Sequence, residues 1–133
     1  LTMENETDQY YDLLVLDAFS SDAVPVHLLT KEAFEIYLRH LKPDGVLALH
    51  ISSRLLDLRP IVFALAGQFQ LNGGVVESSE DPDEGLYAAT WIILSRENLS
   101  KYPLLFTQLE PYRTVSQDNL WTDDRLNLWK AFR

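Results

Sequence analysis

Residues 11–17 read YDLLVLD, an apolar run with an aspartate at each side, and the next eight, AFSSDAVP, form a polar segment ending at Pro25. A short continuous apolar run predicts a strand buried on both faces, as strands of a parallel sheet are. Pro25 forbids a helix interior close by. Thr30 then stands as the N-cap of a helix on which Phe34, Tyr37, Leu38 and Leu41 recur at i, i+3, i+4 and i+7. Lys42-Pro43-Asp44-Gly45 is expected to stop that helix as a turn, and GVLALHIS, residues 45–52, reads as a second apolar strand. Strand, helix, strand is a β-α-β unit, and its two strands are expected to run parallel.

Beyond it, residues 55–71 predict a second helix, with Ile61, Leu65, Ala66 and Phe69 inward and Pro60 in the tolerated first turn. Asn72-Gly73-Gly74 is expected to end it. Val75-Val76 begins a third strand, and YAATWIILS, residues 87–95, is a fourth, reached across a loop holding Glu77, Glu80, Asp81, Asp83 and Glu84. The later two strands are expected to pair antiparallel at an edge of the sheet. The expectation is therefore an α/β domain over residues 1–96, mostly parallel with an antiparallel edge strand, followed by an extension, 97–133, with a short helix near 124–132.

Composition narrows the function classes. A chain of 133 residues is about one domain. Eleven Lys and Arg against twenty Asp and Glu leave a net charge of −9, which argues against a nucleic-acid footprint and suits a cationic small molecule. A solvated acidic surface explains the same number. Without cysteine there is no disulfide, thiolate nucleophile or cysteine zinc site. No apolar run is long enough to span a bilayer, and residues 1–9 are polar rather than signal-like.

Asp17, at the end of the first strand, and Asp22, five residues on, carry two readings. Ligands of open α/β sheets bind beyond the carboxyl ends of the strands, where a carboxylate takes up a proton from an amine or grips a cation. In the other reading Asp17 accepts from loop N–H groups and Asp22 makes an Asx-turn before Pro25. His27, His40 and His50 lack H-x-x-H spacing and read as structural, with no metal expected. Ser20 and Ser21 lack a G-x-S-x-G elbow and read as loop or ligand hydrogen-bonding groups. Thr122-Asp123-Asp124 reads as an N-cap before Leu126, Leu128, Trp129 and Phe132, or as a carboxylate pair folding over an amine pocket. The acidic residues 77–84 lack the D-x-D-x-D-G order of a calcium loop.

The run YDLLVLD, the spacer AFSS, then Asp22 and Pro25 resemble the active-site loop of the spermidine synthase-like aminopropyltransferases, which have the class I methyltransferase fold. LLTKEAFEIYLRHLKPDGVLALHIS is similar to that family's next helix and strand. The loop DAFSSDAVP and Trp121-Thr122-Asp123-Asp124 resemble bacterial spermidine synthase-like proteins, some fused behind membrane-spanning segments. The resemblance implies the C-terminal half of a Rossmann-like domain transferring an aminopropyl group from decarboxylated S-adenosylmethionine to a diamine such as putrescine. Under it Asp17 is the catalytic aspartate and Asp22 a diamine ligand. Ser20, Ser21, Tyr87, Asp123 and Asp124 are further substrate contacts.

The loop is two residues longer between its aspartates than the family's D-x-x-D-P-x-G-P. No G-x-G-x-x-G turn lies in the 133 residues, since Gly73-Gly74 follows a predicted helix instead of a strand. The family's donor-site residues precede the equivalent of Leu1, so the isolated chain is expected to bind no adenosyl cofactor and to be inactive. The implied location is cytoplasmic, with small-molecule polyamine and adenosyl partners, no nucleic acid, and self-association as a homodimer through an exposed sheet edge. Methyl transfer from S-adenosylmethionine, or a non-catalytic adenosyl-binding or interaction module, are the competing classes.

Overall fold

The computed structural model describes residues 10–17, 26–51, 57–78, 89–112, 115, 120 and 122. Its centre is a mixed five-stranded sheet in the order β1-β2-β4-β3-β5: β1 (Tyr11–Leu16), β2 (Leu41–His50), β3 (Asn72–Ser78), β4 (Ala89–Ser95) and β5 (Glu110–Pro111). The expected β-α-β unit is present, with β1 parallel to β2 and α1 (Lys31–Arg39) between them in sequence. β4 is antiparallel to both β2 and β3, and β5 is antiparallel to β3. The sheet is therefore α/β but not mostly parallel in its pairings, and its antiparallel strand β4 is internal instead of at an edge. Burial explains why. Ile92 and Leu94 point into one apolar cluster and Ile93 into the other, so β4 needs cover on both faces.

A 3₁₀ turn, Val26–Leu29, leads into α1. The Thr30 hydroxyl accepts from the Ala33 N–H at 3.2 Å, satisfying one of the orphan donors at the helix start. Glu32 in the first turn and Arg39 in the last complement the helix dipole. Phe34, Tyr37 and Leu38 are buried as their spacing predicts, whereas Leu41 already belongs to β2. The expected turn at residues 42–45 is an irregularity inside the ladder: pairing jumps from Tyr11↔Leu41 to Leu13↔Val46.

α2 spans Arg59–Gln68, with Pro60 in its first turn and residues 61–66 all buried. It ends at Gln70, whose φ of 54° is left-handed. The Leu71 N–H donates to Ala66 O at 2.9 Å and the Gln70 N–H to Gly67 O at 3.2 Å, the paired bonds of a Schellman ending. Asn72-Gly73-Gly74 therefore does not terminate the helix but opens β3. Gly73, at φ 145°, lies so close to β4 that a Cβ would run into the Ile93 carbonyl.

The helical face of the sheet packs Leu47, Leu49, Val75, Ile92 and Leu94 against α1 and α2. The opposite face packs Val46, Ala48 and Ile93 against Leu99, Leu105 and Leu109 from the segment holding a second 3₁₀ turn, Leu99–Lys101, and α3 (Pro103–Phe106). That cover does not extend over β1, where Leu13 is 55% and Val15 48% exposed.

At the amino edge, Arg96 donates to the carbonyls of Leu38, Leu41 and Lys42, and the Ser95 hydroxyl to Gly45 O at 2.9 Å. Lys42 pairs with Asp12 at 2.9 Å and Lys101 with Asp44 at 3.1 Å. The predicted helix near 124–132 and most of the acidic loop lie outside the described residues. No helix among the described residues is long and apolar enough to cross a membrane.

Candidate functional site

Because β4 runs against both β2 and β3, strands β1, β2 and β3 all point the same way and their carboxyl ends share one edge. Asp17 follows β1 there. The register Leu16↔Leu49 brings it beside His50, the last residue of β2. The His50 Nδ1–H donates to Asp17 Oδ1 at 2.6 Å, since an ionised carboxylate has no proton to give. The imidazole lies flat on its cross-strand partner Trp91, with ring centroids 4.7 Å apart and planes 14° apart. The Asp17 side chain is 62% exposed and that of His50 19%, so a largely buried ring holds a carboxylate that faces solvent.

A second polar group occupies the same edge, on the helical face. Arg59, at the start of α2, makes a two-pronged pair with Asp57, its Nε to Oδ1 at 2.9 Å and Nη2 to Oδ2 at 3.1 Å. Its Nη1 reaches Glu77 Oε1 at the end of β3, at 3.3 Å. The hydrogen bond to Asp57, outweighing the opposing effect of burial, holds the guanidinium pKa above its ordinary value. These residues line one side of a cleft of about 260 Å³ whose other wall is Phe63, Val75, Glu110 and Pro111. Phe63 stacks on Tyr112 at 5.8 Å, and the Tyr112 hydroxyl donates to Leu71 O at 2.6 Å, tying the wall to the end of α2.

Of the residues singled out in the sequence, Asp17 takes the expected place at the end of a strand. Ser20, Ser21, Asp22, Tyr87, Asp123 and Asp124 lie outside the described residues. The sequence pattern of His50 reads as structural, and the structure makes it the hydrogen-bond partner of Asp17. Setting the carboxyl ends of the two parallel strands side by side is the signal that finds it. His40 is fully buried as the C-cap of α1, and His27 is exposed. Among the described residues no three His, Asp or Glu side chains converge as a metal site requires.

The arrangement holds a carboxylate at a strand end where it faces solvent, placed to accept a hydrogen bond from a ligand donor. Comparison with protein-family models and with curated proteins finds no match.

Proposed function

We propose that the chain carries the acceptor side of an aminopropyl-transfer site of the spermidine synthase-like kind, within a Rossmann-like half-domain. The observation that supports this most is the placement of Asp17: at the carboxyl end of β1, solvent-facing, and held by His50. In this reading Asp17 orients one amine of a diamine such as putrescine. The neutral nitrogen attacks the carbon next to the donor's sulfonium. As the N–C bond forms, the C–S bond breaks, 5′-methylthioadenosine leaves and the proton passes to the Asp17 carboxylate. Asp22, Ser20 and Ser21 contact the acceptor from the same loop, with Tyr87, Asp123 and Asp124 as further contacts. The net charge of −9 favours approach of a dication. Decarboxylated S-adenosylmethionine is the co-substrate, and the setting is cytoplasmic. Self-association would use β1, whose hydrogen-bonded neighbour among the described strands of the sheet is β2.

Mass spectrometry of product mixtures tests the reading. The chain alone, offered decarboxylated S-adenosylmethionine and putrescine, is expected to release no methylthioadenosine. Joined to a donor-binding half that carries a glycine-rich turn, it is expected to form spermidine, with a loss of about a hundredfold or more in Asp17→Asn. Transfer of a methyl group from S-adenosylmethionine instead, or product from an unimpaired Asp17→Asn, overturns it.

A further inference from the structure

We propose that His50 is the positioning residue of the amine site, an inference that rests on the assignment of Asp17 to amine recognition. Asp17 lies beyond the last residue of β1 and its side chain is 62% exposed, so packing does little to select its rotamer. What fixes it is the bond from His50 Nδ1 at 2.6 Å. His50 in turn is held by its surroundings. Its backbone pairs with Trp91 of β4, and its ring is stacked on the same residue's indole. Rigidity thus passes from the middle of the sheet through indole and imidazole to one carboxylate oxygen.

The second oxygen, Oδ2, has no hydrogen-bond partner among the described residues, and it is the one turned over to the amine. A carboxylate held by one oxygen presents the other in a defined direction, and pre-set direction of this kind separates a recognition site from a loose surface charge. The pairing would serve a purely structural end if it only fastened the β1 terminus to β2. Affinity for an amine distinguishes the two roles, because a structural fastening leaves it unchanged.

The experiment is calorimetric titration of the chain with putrescine at about 0.15 M salt, where screening suppresses diffuse attraction of the diamine to the acidic surface. Wild type is compared with Asp17→Asn, His50→Ala, His50→Asn and His50→Gln, each checked for a native circular dichroism spectrum. Asparagine places an N–H donor where Nδ1 stands, whereas glutamine carries its donor one methylene further out. Asp17→Asn is expected to abolish binding. His50→Ala and His50→Gln are expected to weaken it about ten- to a hundredfold, the loss of one hydrogen bond to a charged group, and His50→Asn to stay within about threefold of wild type. Should His50→Ala fail to fold, the contrast between the asparagine and glutamine variants decides.

Loss of binding in Asp17→Asn together with wild-type affinity in both His50→Ala and His50→Gln overturns the positioning role and leaves the amine reading standing. Wild-type binding by Asp17→Asn, or no uptake of putrescine by the wild type, overturns the amine reading and this inference with it.

Discussion

Tyr37 shows how one buried polar atom ties stability to pH. Its hydroxyl donates to Leu28 O at 2.8 Å, and burial of the ring pushes the phenol pKa far above its ordinary value of 10.0. The folded protein therefore keeps the phenol neutral in a range where the unfolded chain ionises. Its contribution is fully present below pH 10 and declines as pH rises beyond that value, by about 1.4 kcal/mol per pH unit, until the folded phenol ionises too. Tyr37→Phe is expected to lose about 1 kcal/mol at neutral pH with the hydrogen bond, and to show a shallower alkaline decline. Urea unfolding at pH 8 through 11.5 reads both effects. Tyr112, raised in the same direction by burial, contributes a residual slope. None of this was legible in the helical spacing of Tyr37, which marks it as inward but does not say where its hydroxyl ends.

The end of α2 is an element-scale matter. A residue other than glycine occupies the left-handed position of its Schellman ending, Gln70 at φ 54°. A side chain there carries a steric penalty that glycine lacks, partly offset by glycine's greater freedom in the unfolded chain. Gln70→Gly is expected to stabilise the domain by about 0.5–1 kcal/mol, seen as a higher urea midpoint at unchanged slope. The sequence places the turn two residues late because Asn72-Gly73-Gly74 has the composition of a stop, while Gln70 carries no local signal. Tertiary approach decides the matter: Gly73 is needed for its closeness to β4, not for a turn. The same cause displaces the boundary at residues 42–45. Lys42-Pro43-Asp44-Gly45 reads as punctuation, but Ser95 and Arg96, distant in sequence, hydrogen-bond to its carbonyls and fold it into the ladder.

For the molecule as a whole, the two faces of the sheet differ in cover. Leu47 is fully buried beneath the helices, whereas Leu13, on the other face of the neighbouring strand, is 55% exposed. Leu47→Ala is expected to cost about 2–5 kcal/mol and Leu13→Ala below about 0.5 kcal/mol, both from chemical denaturation. The apolar run YDLLVLD predicted burial on both faces. Apolar composition states what a strand can tolerate, and only the sheet order, with β1 at one end, states what covers it. Periodicity did yield the β-α-β unit, both helices and Asp17 at a strand end. It missed the central place of β4 and the pairing of His50 with Asp17, since a non-local neighbour leaves no mark on the local pattern.

The division of labour between the sheet's two rims has a consequence for how such a chain changes over time. Arg96, Ser95 and the Lys42 and Lys101 ion pairs fasten helix, bulge and two strands together at the amino rim. The connections leaving β1, β2 and β3 depart from the opposite rim. Insertions, exchanges and lengthenings there leave the fastened rim untouched. Under the amine-site proposal, ligand preference is a trait that descent can rewrite loop by loop, with the scaffold inherited whole.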